Sequence, residues 1–291
     1  MGYGDEIFAT AEVKKIKEHF PNSEIIIGDG RTQHRSIIYL NNPKIWNKEN
    51  VDEKKDYIWV LNYFNNRPYI DYVKSDDNKF AWDTEFTVSP GEIYLSDQEK
   101  AIGLETVNKA KLIWENNFKK KNKIIIVIEP NVKGLTYAKN VGSSTVGDSN
   151  INRDWGFEKW QEVVNILKDK ILFIQTVRPN IKKLTNVIHI DCNFRGALSI
   201  MFNSNLFLGT QGGLSHAAGA FNKDAIIIFG GWISPSMMGY DFHTNIYVDL
   251  PESPCGSKKI CKHCKKCMNS IKVKKIISLL EEKITSQNKK L

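Results

Sequence analysis

The sequence predicts an α/β protein built on a parallel sheet, and three observations lead there. Apolar runs of strand length at 124–128, 171–175, 187–190, 206–209 and 225–229 alternate with helical patterns, the arrangement that parallel strands with crossover helices require. Ile124 to Ile128 contains no polar residue, the composition of a strand buried on both faces. The stretch 205–231, NLFLGTQGGLSHAAGAFNKDAIIIFGG, reads as a strand, a turn at Gly212 and Gly213, a helix of small residues over 215–221, and a second strand. At 291 residues the chain is long enough for two domains of ordinary size.

Taken in order, Gly2-Tyr3-Gly4-Asp5 leads into a helical pattern over 6–20, with Ile7, Ala11, Val13, Ile16 and Phe20 at helical spacing and Pro21-Asn22 as the stop. A strand over 24–27 ends at Gly28-Asp29-Gly30, another apolar run spans 37–40, and 57–61 is rich in β-branched and aromatic residues. Residues 62–90 are dense in Asn, Asp and aromatics without a period and read as loop with short elements. Ser96-Asp97-Gln98-Glu99 has the form of a helix start, the helix running to about 118, and Lys119–Lys123 marks a crossing between domains 1–118 and 119–291. Phe157, Trp160, Val163, Val164 and Leu167 share one face of a helix over 155–168. A further helix lies around 196–203, and a last one begins near Ser270, with Val273, Ile276, Ile277, Leu280 and Ile284 on one face.

Composition narrows the function classes. Hydrophobic residues at 41% and charged residues at 25% are those of a soluble globular protein, and no run reaches the roughly 18 apolar residues of a membrane span. The first residues carry acids early and lack an apolar signal core, so a cytoplasmic location is expected. A formal net charge of +8 suits an anionic ligand, nucleic acid or an anionic membrane surface, without choosing among them.

The glycine turn is where chemistry is expected. A strand entering a helix through paired glycines leaves backbone N–H groups without intrahelical partners, pointing with the positive end of the helix dipole at the strand end. Glycine permits close approach of an anion, and His216 in the first turn is expected to be neutral and to donate one hydrogen bond. An ordinary tight turn, with His216 bonded to a loop carbonyl, accounts for the same residues. In a parallel sheet ligands bind beyond the carboxyl ends of the strands, where Asp5, the Arg153 loop and the Gln211–His216 turn would all lie.

Four segments in this order, GYGDEI before a helix, RDWGFEKWQEVV, LFLGTQGGLSHAAGA and AIIIFGGWISP, resemble glycosyltransferase family 9, the lipopolysaccharide heptosyltransferase family. The resemblance covers most of the C-terminal half and, in the N-terminal half, mainly the first twenty residues. It implies a GT-B architecture: two Rossmann-like domains facing across a cleft, the N-terminal one shortened here. It implies an inverting transfer of a sugar, a heptose in the family's best-known members, from a nucleotide-diphosphate donor to a glycan or glycolipid hydroxyl. By that likeness Asp5 is the base; a carboxylate suits the task when partial burial strengthens its hold on a proton. From the residues alone, Asp5 reads first as a helix N-cap, which Asp after Gly fits well. Arg153 falls where the family places a cation on the diphosphate, while Gly212, Gly213 and Leu214 supply N–H groups, with Gln211 and His216 beside them. The chemistry as the family performs it requires no divalent metal. Members usually carry an acid contacting the donor sugar where this chain has Gln211, and a strand before the loop in which this chain opens.

Cys255, Cys261, Cys264 and Cys267 fall within thirteen residues, while Cys192 stands alone. Four thiols can close a tetrahedral zinc or iron site, and Lys258, Lys259, Lys262, Lys265 and Lys266 would favour thiolates there. Any such role is structural; reduced cysteines in a surface loop are the alternative. The lysines around the thiols raise a different class, a basic metal-stabilised nucleic-acid-binding protein, but they lack interleaved aromatics and leave the α/β half unexplained, so no nucleic-acid partner is expected. Peripheral contact with an anionic membrane and a lapsed nucleotide-sugar binder remain further expectations. An NAD-dependent oxidoreductase is disfavoured, since no G-x-G-x-x-G follows a predicted strand.

Overall fold

A computed structural model describes residues 2–46, 57–61, 67–121, 124–132, 148–179 and 181–288. The C-terminal half folds around a six-stranded parallel sheet formed by β5 (Ile125–Glu129), β6 (Leu172–Val177), β7 (Ile188–Asp191), β8 (Leu206–Thr210), β9 (Ala225–Gly230) and β10 (Thr244–Tyr247). The strands stand in the order β10-β9-β8-β5-β6-β7. Counted from β5 this is the Rossmann order, and it reverses direction between β5 and β8, which opens a crevice at their carboxyl ends.

Both faces of this sheet are covered, which is why its strands read as apolar runs. Ile126, Ile128, Phe173, Leu206, Leu208, Ile226 and Ile228 point to one face. There they meet Trp160, Val163, Val164 and Leu167 of α3 (Phe157–Leu167) and Ile276 and Leu280 of α8 (Val273–Asn288). Val127, Leu172, Ile174, Phe207 and Ile227 point to the other, toward α4 (Phe194–Phe202) and α5 (Gly213–Ala220). The alternation follows the period-2 pleat.

The N-terminal part is smaller. Helix α1 (Tyr3–His19) precedes two parallel strands, β1 (Glu24–Gly28) and β2 (Tyr57–Leu61), and a hairpin of two-residue strands, β3 (Ile70–Asp71) and β4 (Ala81–Trp82). The α/β class and the shortened N-terminal part agree with the reading of the sequence. The run at 37–40 forms turns rather than a strand, although Ile38 and Tyr39 are buried. One apolar cluster runs from Ile25, Ile27 and Val60 through Ile7, Phe8 and Val13 of α1 to the large sheet. Helix α1 therefore lies directly on α5.

Helix α2 (Asp97–Phe118) starts in the capping box that Ser96 and Glu99 announce. It packs on α4 and β6, so its layer is that of the large sheet although the sequence places it before the domain crossing. The junction is tight: a Cβ on Gly103 would lie 2.5 Å from the Ser199 carbonyl oxygen of α4. Arg195, 7% exposed, fastens the parts together, donating to both carboxylate oxygens of Glu99 and to the carbonyls of Ile37 and Tyr94. Residues after β9 add α6 (Pro235–Met238) and α7 (Lys262–Ser270). Among the described residues no helix is long and apolar enough to cross a membrane.

Candidate active site

The turn after β8 lies at the switch point. Gly212 is extended (φ 168°, ψ −167°), and a Cβ there would meet nothing within 4 Å, so the space beside the turn is open. Its N–H donates to Ser215 Oγ at 3.0 Å, and that hydroxyl donates back to the Gly212 carbonyl at 2.8 Å. The first main-chain bond of the helix is His216 N–H to Gly212 O, 3.2 Å. The N–H groups ahead of it at the positive helix end are thus those of Gly213, Leu214 and Ser215. This moves the expected set one residue on: Gly212 spends its donor on the turn, and Ser215, absent from the sequence reading, joins.

The start of α1 meets the start of α5. A Cβ on Gly4 would lie 3.7 Å from Gly213 Cα, an ordinary contact, and 3.2 Å from the His216 ring, a tight one, so the two helix starts lie side by side. Tyr3 stacks on Phe194 at 4.2 Å beside the contact. Two positive helix ends facing one another repel unless negative charge lies between them.

Asp5 supplies negative charge in the first turn of α1. It sits behind the N-cap Gly2, and no side chain caps this helix, so the N-cap reading of Asp5 does not hold. Its carboxylate is 8% exposed, accepting from Tyr69 Oη at 2.5 Å and from Arg67 Nε at 3.2 Å. Burial and the Asp5 charge push the Tyr69 phenol well above its ordinary value, so it stays a donor. Burial is the largest single influence on Arg67 and opposes its charge, but Asp5, Tyr69 and Tyr72 together outweigh it and keep the guanidinium protonated.

Arg153 ends the short 3-10 turn Asp148–Arg153. Its Nη1 donates to the Gln211 carbonyl at 3.3 Å and to Gln211 Oε1 at 2.8 Å; Nη2 donates to Asn150. The guanidinium lies 5.0 Å over the Trp232 ring. Burial lowers its pKa to about 10, so it remains a cation at neutral pH, within electrostatic reach of Asp5 and Tyr69. Among the described residues its buried Nε has no partner.

His216 is 1% exposed, and burial drives its pKa down to about 3, with His243 and Arg153 adding to the effect. Gln211 turns its oxygen to Arg153, so its amide nitrogen faces His216 Nε2 at 3.0 Å, and that nitrogen must accept. The ring proton then sits on Nδ1, donated to Tyr240 Oη at 3.1 Å. The expectation of a neutral single-donor ring holds, but the donor serves Tyr240 inside the protein, and His216 has no nitrogen left for a phosphate. Leu214 is half-buried against the core beneath the turn. Asp5, Arg153, Gln211, Gly212, Gly213, Leu214 and His216 therefore gather around one junction.

The four cysteines separate. The sulfurs of Cys255, Cys261 and Cys264 lie within 4.8 Å of one another. Cys267 instead faces His263 Nε2 at 3.4 Å and Ser253 Oγ at 3.8 Å, so the four-thiol set reduces to three. Cys255 and Cys261 are 3.8 Å apart, matching the edge of roughly 3.8 Å in a tetrahedron with metal–sulfur bonds of about 2.3 Å. Cys264, at 2.9 Å from Cys255, would have to draw back by about 0.9 Å to join them. Its thiol lies so close that it lowers Cys255 to about 6, which makes Cys255 the ready thiolate. Three soft donors suit zinc or iron, with a fourth position left to another ligand.

No protein-family model matches this chain, and no curated protein matches it either. Solved structures similar to it are heptosyltransferases and family 9 glycosyltransferases. They include the E. coli ADP-heptose lipopolysaccharide heptosyltransferase II (11% identity, TM-score 0.43, 68% of this chain and 54% of that one). A family 9 glycosyltransferase from Veillonella parvula DSM 2008 gives 12% identity, TM-score 0.44 and coverage of 69% and 55%. The iron-containing dodecameric glycosyltransferase TibC of enterotoxigenic E. coli H10407 gives 14% identity, TM-score 0.38 and coverage of 56% and 45%. The chain spans about half the length of the first two of these structures.

Proposed function

We propose that the chain transfers a sugar from a nucleoside-diphosphate donor to a hydroxyl of a glycan or glycolipid, with inversion at the anomeric carbon. One observation carries this: the N-termini of α1 and α5 meet, with the Asp5 carboxylate and the Arg153 cation at the same junction. The α5 end, with Gly213, Leu214 and Ser215 N–H groups, and Arg153 would hold the diphosphate and take up charge as it leaves. The acceptor hydroxyl would bond to Asp5, lose its proton there and attack the anomeric carbon from the opposite face. A carboxylate has about four acceptor positions, so Asp5 can receive that hydroxyl while keeping Tyr69 and Arg67.

Gln211 serves Arg153 and His216 as a neutral amide, which leaves the sugar to be read by other groups. A structural zinc or iron would sit at Cys255, Cys261 and Cys264. With a glycolipid acceptor, the lysines at 258–266 would face an anionic membrane at its cytoplasmic side. A second reading, a nucleotide-sugar binder without turnover, is favoured by the two partners already engaging Asp5.

A thermal-shift screen of nucleoside diphosphates and their sugars identifies the donor, because a ligand of the native state raises the midpoint. With that donor, Asp5→Asn is expected to abolish transfer while donor affinity stays within about twofold, because the amide cannot take the acceptor's proton and the diphosphate contacts lie on other residues. Transfer at the wild-type rate would remove Asp5 as the base. Donor binding by the wild type without turnover across acceptors would favour the second reading.

A further inference from the structure

Asn152, one residue before Arg153, is 2% exposed, and its amide is spent on a single segment of the chain. Nδ2 donates to the carbonyls of Ser257 at 3.2 Å and Lys259 at 2.8 Å, and Oδ1 accepts from Cys261 N–H at 2.9 Å. The indole of Trp232, which lies under the Arg153 guanidinium, donates from Nε1 to the same Ser257 carbonyl at 2.8 Å. That carbonyl is thus shared by the chain neighbour of Arg153 and by the ring beneath it. Gly256 N–H returns a bond to the Trp232 carbonyl at 3.1 Å, which closes the frame.

The segment also reaches the Asp5 side. Phe80 N–H donates to Gly256 O at 2.9 Å, and Lys258 N–H donates to Asn78 O at 2.8 Å. Trp82 in the same hairpin donates to the Trp232 carbonyl at 3.0 Å, while its paired strand follows Tyr69, the donor to Asp5. Cys255 and Cys261 bracket the segment, their sulfurs 3.8 Å apart.

We propose that Asn152 is a positioning residue for Arg153, and that the segment 255–261 is the frame that sets Arg153 over the diphosphate site. This rests on the reading of Arg153 as the diphosphate cation. Arg153 itself bonds only to Gln211 and Asn150 among the described residues, with Nε unpartnered. Its height over the β8–α5 turn therefore depends on the Trp232 ring below and the backbone held by Asn152. A side chain with two donors and one acceptor is needed at 152, because the frame offers two carbonyls and one N–H.

The test is a double-mutant cycle read by calorimetric titration of inorganic diphosphate, with folding checked by circular dichroism. Arg153→Gln is expected to weaken binding about tenfold or more, the loss of a charge-assisted contact. Asn152→Ala is expected to weaken it about fivefold in the wild-type background and less than about twofold in the Arg153→Gln background, since it acts through that side chain. A merely structural role would weaken binding equally in both backgrounds, and that outcome overturns the proposal. Wild-type affinity in Asn152→Ala overturns it too. Should Asn152→Ala not fold, Trp232→Phe decides: it keeps a ring under Arg153 and cuts the bond to Ser257, and the same non-additive loss is expected. If Arg153→Gln binds diphosphate as the wild type does, the reading of Arg153 itself fails and the proposal falls with it, a result distinguishable from failure of Asn152 alone.

Discussion

Replacing Glu99 by glutamine isolates the ion pair between α2 and α4 that fixes Arg195, whose remaining donors hold the Ile37 and Tyr94 carbonyls. The Glu99 carboxylate takes both Arg195 Nε and Nη2, and Arg195 also holds the carbonyls of Ile37 and Tyr94. The Arg195 guanidinium is the main cause that lowers Glu99 from 4.5 to about 2, with the Ser96 backbone helping against the cost of burial. The folded value is depressed, so the unfolded chain binds a proton more readily. The stabilisation is then fully present above pH 4.5 and is lost as pH falls toward 2. At about 1.36 kcal/mol per pH unit the gap sets a ceiling of roughly 3 kcal/mol. The Glu99 side chain is 28% exposed, and solvent screening brings the expected contribution to about 2 kcal/mol.

The assay is urea unfolding of wild type and Glu99→Gln at pH 7 and at pH 2.5. At pH 7 the variant is expected to be less stable by about 2 kcal/mol, and at pH 2.5 the difference should shrink below about 1 kcal/mol. A difference that stays constant across this range would refute the assignment of the stabilisation to an ionised Glu99 beside Arg195. It would place the effect in packing instead.

His216 titrates in a different window: its folded value of about 3 lies below the ordinary 6.5, so stability is expected to fall as pH drops from 6.5 toward 3, and His216→Asn should flatten that part of the profile. Gly103→Ala should destabilise by about 1–3 kcal/mol in thermal unfolding, because the clash with the Ser199 main chain outweighs the roughly 1 kcal/mol of helix propensity gained. Metal analysis of purified protein is expected to find zinc or iron in the wild type and in Cys267→Ser, and to lose it in Cys264→Ser; equal loss in both would restore the four-thiol set.

The large sheet is legible in the sequence because its strands are buried on both faces and leave unbroken apolar runs such as Ile124 to Ile128. Edge strand β10 leaves no such mark: its four residues, Thr244 to Tyr247, are all half-buried and mix polar with apolar. Helix α7 is equally hidden, because it buries only Cys264, Cys267 and Met268 beneath a lysine face, with no aliphatic period to read. At the site, the turn and Asp5 announce themselves through glycines, while their partners do not. Arg67 and Tyr69 reach Asp5 from 62 and 64 residues away, out of an aperiodic stretch, and no local pattern couples them. Asn152 reads as one polar residue among several in a loop; only the path of segment 257–261 around it gives it a task.

Gln211 gains a meaning from the structure that the sequence could present only as a departure. Its amide accepts from Arg153 and donates to His216, two opposite duties that one carboxylate cannot perform. An acid at this position would accept from both neighbours. His216 would then carry its proton on Nε2, leaving Nδ1 to accept from Tyr240, and the tautomer of a ring 1% exposed would reverse. An acid would also neutralise Arg153, the cation within reach of the α5 helix start. With the amide, Arg153 keeps its full charge for an anion, and His216 stays locked against α1, its ring 4.4 Å from Phe8. Under the proposed transfer, the glutamine would leave Arg153 unpaired with a carboxylate at 211 and available to the donor's phosphates.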